Sequence, residues 1–115
     1  MVAYHWRMDY KRLIDRLYSA FNDRDIDVLV AQMTEDVDWP NAWEGGRLRG
    51  RGAVREYWTR QWAAIDSRVE AQGFATRPDG RVDVDVRQVI DGNDAGSVRH
   101  TYTFRDGLIA RMDVT

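Results

Sequence analysis

Val82, Val84 and Val86 alternate with Asp83, Asp85 and Arg87, and Val98, His100, Tyr102 and Phe104 alternate with Arg99, Thr101, Thr103 and Arg105. Successive side chains of a strand leave on opposite faces, so both runs describe a sheet with one apolar and one polar side. The apolar side has to be covered by something. Strands are expected over Val69–Thr76, Arg81–Ile90, Ser97–Arg105 and Leu108–Val114. They are separated by Arg77-Pro78-Asp79-Gly80, by Asp91 to Gly96 and by Asp106-Gly107, connections rich in the residues that antiparallel hairpins use.

The first half supplies the cover. Leu13, Ile14, Leu17, Tyr18 and Phe21 recur at helical spacing within Met8 to Asn22. Asn22-Asp23-Arg24-Asp25 breaks that helix and offers an N-cap to a second stripe of Ile26, Leu29, Val30 and Met33. A third helix opens at Arg51-Gly52, with Val54, Tyr57, Trp58, Gln61, Trp62 and Ile65 on one side. An α+β domain follows, with helices against one face of a meander.

Between the second and third helices lies Val37 to Arg51, which sets two tryptophans, an asparagine and a proline in a glycine-rich connection. Val37-Asp38-Trp39 reads as a brief strand that Pro40 ends, since proline has no N–H to pair. Alternation points Val37, Trp39 and Asn41 the same way. Aromatic side chains in such a segment either plug the end of the core or line a cavity.

Composition excludes several classes of function. The 115 residues suit one hydrophobic core, so a single domain is expected over 1–115. Seventeen basic residues, all arginine except Lys11, are scattered among nineteen acids for a net charge of -2, which argues against a nucleic-acid partner. The chain has no cysteine and two histidines, His5 and His100, without metal-ligand spacing, so no metal site is expected. Gly45-Gly46 lacks the rest of a phosphate-binding motif, so no cofactor is expected either. Met1 to Tyr10 carries no apolar run of signal-peptide length and no segment reaches membrane-spanning length. A cytoplasmic protein without a membrane partner is the expectation.

Tyr18-Ser19-Ala20-Phe21-Asn22 with Asp25-Ile26-Asp27, then Thr34 to Trp39, Gly52 to Trp58, and Phe104 to Ile109 resemble the NTF2-like superfamily. More narrowly they are similar to its SnoaL-like and ketosteroid-isomerase-like bacterial members, over nearly the whole chain from Asp9 onward. The resemblance implies a cystatin-like cone, three N-terminal helices packed on a curved antiparallel sheet, with an apolar pocket at the wide end. Function on this fold has to come from the pocket residues. Compared with ketosteroid isomerases, Asn41 stands where the general base would be, Leu17 where the oxyanion-donating tyrosine would be, and His100 where a protonated acid would assist. All three depart, and an amide cannot accept the substrate proton. Compared with SnoaL-type polyketide cyclases, which use a histidine and an aspartate on late strands, His100 and Asp113 fall in the corresponding roles. Regular alternation turns Asp113 to the polar face; a bulge would reverse it.

His100 and Asp113 are therefore the candidate catalytic pair, and Trp39, Asn41, Trp43, Tyr57, Gln61 and Tyr102 the candidate ligand-binding set. For His100 the competing reading is a neutral core histidine bonded to a tyrosine or to backbone. Gln61 lies on an apolar stripe one turn from Tyr57, and either that hydroxyl or a ligand would satisfy it. Trp58 and Trp62 read as packing. Asp83, Asp85 and Arg87 look outward and fit cross-strand pairing with Arg99 or Arg105, or a dimer interface. The expected partner is a small apolar metabolite, bound by a homodimer. The expected function is a cofactor-independent isomerase, dehydratase or cyclase working by acid/base chemistry. The alternative is a non-catalytic ligand-binding or dimeric interaction domain.

Overall fold

The structure, a computed structural model, describes residues 10–115. His5, Met8 and Asp9 lie outside the described residues. In chain order the elements are α1 (Tyr10–Asn22), α2 (Ile26–Ala31), β1 (Met33–Pro40), β2 (Arg47–Arg49), α3 (Arg51–Ala64), β3 (Ser67–Thr76), β4 (Val82–Ile90), β5 (Asn93–Arg105) and β6 (Leu108–Val114). The strands form one sheet in the order β2-β1-β6-β5-β4-β3.

The two alternating runs pair with each other. β4 and β5 are antiparallel, with Val82 opposite Tyr102, Val84 opposite His100 and Val86 opposite Val98. Val82, Val84, Val86, His100 and Tyr102 are all buried on one face, while Asp85 and Arg99 are exposed on the other. The turn between these strands is tighter than expected. Asp91 and Gly92 both have positive φ, 52° and 80°, and Asp106-Gly107 repeats the pattern at 54° and 78°. Two left-handed residues make the two-residue turn whose twist matches that of paired strands. β5 accordingly begins at Asn93.

Four further features depart from expectation. Only α1 and α2 precede the first strand; α3 follows the β1–β2 pair, so the three helices are not all N-terminal. β2 was not legible, because Arg-Leu-Arg is too short to show a period; it is placed by the turn after Pro40, which sets Arg47 opposite Pro40 and Arg49 opposite Asp38. The sheet is mixed and not wholly antiparallel, since β1 runs parallel to β6. A short hairpin forces antiparallel pairing, whereas β1 and β6 are separated by α3 and four strands, so their direction is free of that constraint. Met33, expected on the second helical stripe, instead opens β1 with no exposed surface.

Register shifts at Ala71/Gly73, Gln88/Val89 and Thr103/Phe104 interrupt three antiparallel pairings. Such bulges bend the bulged strand and raise its twist, which curves the sheet around the helices. α1 packs Leu13, Ile14, Leu17, Tyr18, Ala20 and Phe21 into the hollow of that curve. Its last residue holds the sheet edge: the Asn22 amide donates to the Val69 carbonyl at 2.8 Å, and its Oδ1 accepts from the Val69 N–H at 2.9 Å. Asn22→Ala would leave both β3 groups without a protein partner and is expected to cost about 1–2 kcal/mol in urea denaturation. A loss below about 0.5 kcal/mol would mean that water replaces both bonds.

Candidate functional site

The curved sheet and the helices do not close completely on each other. Between them is a cavity of about 330 Å³, at the lower end of the size range of small-molecule sites. Its sheet wall includes Trp39 from β1, His100 and Tyr102 from β5 and Met112 from β6; its helix wall includes Tyr18 and Phe21 from α1 and Tyr57, Trp58 and Gln61 from α3. Trp43 and Val114 also border it and are 46% and 42% exposed, marking where the cavity meets solvent.

His100 is brought to this wall by the alternation that made it a candidate. Tyr102, two residues on along the same face, donates to the Tyr18 hydroxyl at 2.8 Å, and Tyr18 reaches Nδ1 of His100 at 2.9 Å. With Tyr18 receiving a proton from Tyr102, its own proton points to Nδ1, and the imidazole proton is left on Nε2. Nε2 has no protein partner among the described residues. Burial holds the ring down to a pKa of about 4, so it is uncharged at neutral pH. The same desolvation pushes the Tyr18 and Tyr102 hydroxyls above the ordinary phenol value. His100 is thus bonded to a tyrosine, as the core reading had it, and it also borders the cavity.

Gln61 is 7% exposed and donates through Nε2 to the Tyr57 hydroxyl at 3.3 Å. Trp43 sits edge-on to Tyr57 with ring centroids 6.4 Å apart. Trp58 borders the cavity, edge-on to both Phe21 and Tyr57, whereas Trp62 packs against Phe21 away from it. Read as packing from sequence, Trp58 belongs to the wall as well.

Two candidates are not at the cavity. Asn41 is absent from its lining. Its carboxamide folds over its own turn, Oδ1 accepting from the Glu44 N–H at 2.9 Å and Nδ2 reaching the Glu44 carboxylate at 3.3 Å. An asparagine beginning a tight turn satisfies its amide locally, and that chemistry overrides the strand alternation that would have turned it inward. Asp113 lies on the outer face, opposite Thr101, bonded to Arg111 at 2.9 Å and Arg47 at 3.4 Å. β6 is indeed bulged, but at Ala110, where the extra residue lets Ile109 and Met112 both point inward and leaves Asp113 outside. Its Arg111 partner, with Arg47 beside it, holds its carboxyl below the usual range. His100 and Asp113 thus do not form a pair.

Asp83 and Asp85 also face outward. Asp85 pairs with Arg99 at 3.0 Å, as cross-strand alternation suggests, and Asp83 pairs with Arg77 at 2.9 Å. Among the described residues no cluster of three or more His, Cys, Asp or Glu could hold a metal. No described helix is long and apolar enough to cross a membrane. Tyr18 was the residue missed: on a helical stripe its ring looks like any core aromatic, and only a buried hydroxyl's need for a partner points further.

The family model of the SnoaL-like domain matches residues 14–112, and the chain belongs to that family. The fold is the NTF2-like, or cystatin-like, one with a curved mixed sheet and three helices. A polyketide-cyclase candidate from Sinorhizobium meliloti is 21% identical, with 90% of this chain and 94% of that one covered at a TM-score of 0.79. TerC, crystallised with polyporic acid, is 26% identical, covering 90% and 88% at a TM-score of 0.77. A ketosteroid-isomerase candidate from Kribbella flavida is 18% identical, covering 90% and 73% at a TM-score of 0.74. No curated protein matches the chain.

Proposed function

We propose that this SnoaL-like protein is a cofactor-independent enzyme that moves a proton on a small, largely apolar carbonyl compound, in an isomerisation, dehydration or cyclisation. His100 is its proton-transfer group. The observation that carries this reading is the chain of bonds from Tyr102 through Tyr18 to Nδ1, which fixes the ring and leaves Nε2 to meet a ligand. In the resting arrangement Nε2 donates, and so can polarise a carbonyl. In the other neutral tautomer, reached when Nε2 gives its proton to water and Nδ1 takes one from water, Nδ1–H donates to Tyr18 and the Nε2 lone pair is free to take a proton from the carbon beside that carbonyl. The oxyanion so formed lies beside the new imidazolium and stabilises it, offsetting the burial that disfavours charge in the empty site. Return of the proton at another atom completes the reaction without redox change.

The second reading, a ligand-binding domain without chemistry, is favoured by one fact: no carboxylate borders the cavity among the described residues. Deuterium exchange separates the two. With β-tetralone in heavy water, the protein is expected to accelerate exchange next to the carbonyl, and His100→Gln to lower that rate about 100-fold or more with binding retained. If the ketone binds and exchange does not exceed that in buffer, the binding reading stands.

A further inference from the structure

The cavity lining contains no Asp, Glu, Lys or Arg among the described residues, and its histidine is uncharged at neutral pH. Arg24 comes within 5.7 Å of the Phe21 ring centroid, but its guanidinium is engaged by Asp66 and by the Ser67 carbonyl, both at 2.6 Å. An ionised ligand would therefore enter an aromatic box with no counter-charge, and an unpaired buried charge is strongly disfavoured.

Among the polar atoms of that box without a protein partner are one on His100 and one on Gln61. His100 and Gln61 are each 7% exposed, so more than nine-tenths buried. The Tyr18 hydroxyl occupies Nδ1 of His100 and leaves Nε2–H as a donor; the Tyr57 hydroxyl occupies Nε2 of Gln61 and leaves Oε1 as an acceptor. Neither atom is sealed off. The described side-chain N and O atoms that are both enclosed and unpartnered belong to Thr34, Trp58 and Trp62. One donor comes from the sheet wall and one acceptor from the helix wall, with aromatic surface between.

We infer that the cavity takes an uncharged, flat hydroxy-carbonyl compound, its carbonyl oxygen accepting from His100 and its hydroxyl donating to Gln61. This rests on the proposed function only in placing the substrate in the cavity; it concerns what binds, not what reacts. A phenol bearing a conjugated ester or ketone has the required ends, and an ionised carboxylic acid of the same shape does not.

Three probes test it by calorimetry near neutral pH: methyl para-coumarate, the para-coumarate ion, and methyl para-methoxycinnamate. The hydroxy ester is expected to bind about 100-fold more tightly than the ion and about tenfold more tightly than the methoxy ester, which cannot donate. Gln61→Leu should abolish the hydroxyl-over-methoxy preference and keep the ester-over-ion preference. Gln61→Met serves as a second variant should the first not fold. An ion that binds within about threefold of the ester overturns the inference, as does a hydroxyl preference unchanged in both folded variants, or no binding of the hydroxy ester at about millimolar concentration. Exchange from β-tetralone is read separately. Ester-over-ion selection without exchange leaves this inference standing and ends the catalytic reading; exchange without that selection does the reverse.

Discussion

Tyr102→Ala is expected to destabilise the domain by about 3–5 kcal/mol, the cost of removing a fully enclosed aromatic ring from a core that relaxes only partly. Tyr102 has no exposed surface. It lies between Trp39 and Phe104, with ring centroids 6.3 and 6.4 Å away. For a domain of this size each kcal/mol corresponds to roughly 4 °C in Tm, so the midpoint should fall by roughly 15 °C. Tyr102→Phe keeps the ring and loses only the hydroxyl given to Tyr18, and should cost about 1 kcal/mol. A scanning-calorimetry shift for the alanine variant no larger than that for phenylalanine would show that the ring does not pack as described.

Acid should destabilise the protein earlier than its carboxylates require. His100 titrates near 4 in the folded chain and near 6.5 when unfolded. Between those values the unfolded chain binds the extra proton, so stability rises with pH in that window. Running downward, nothing is lost above pH 6.5, and about 3 kcal/mol has gone by pH 4. The ion-paired carboxylates, Asp38 and Asp83 among them, are held below their ordinary range by their arginine partners. Their contribution is present above the ordinary carboxylate pKa and is lost only as pH falls further. Urea midpoints measured from pH 7 to pH 4 should therefore slope for the parent chain and flatten over most of that range for His100→Gln. Parallel slopes would show that the ring is already solvated in the folded state.

How far the chain could be read from its residues depended on whether the signal was local. Alternation in Val82–Val86 and Val98–Phe104, with turn-forming residues between their strands, announced paired strands and placed His100 and Tyr102 on the covered face; the turn itself proved shorter than the Asp91 to Gly96 connection expected. The same alternation sent Asp113 outward; the family resemblance suggested otherwise, and the residue pattern was the better guide. Gln61 on an apolar stripe pointed to Tyr57 because partners one helical turn apart are neighbours in any helix. Parallel pairing of β1 with β6 left no such trace, since it joins segments about seventy residues apart. Tyr18 and His100 meet for the same non-local reason, 82 residues apart. Asn41 failed differently: a turn that uses its own asparagine competes with strand alternation, and at the end of a strand the turn won.

A hollow in so small a domain has a thermodynamic consequence. Where a chain of this length would ordinarily pack side chain against side chain, this one leaves room for a guest. Whatever occupies it binds the folded chain and not the unfolded one, adding roughly 2.7 kcal/mol of resistance to heat when its free concentration is about 100 times its Kd. The protein is thus its own reporter: a melting curve run against a library of metabolites should single out the natural occupant without any assay for what becomes of it.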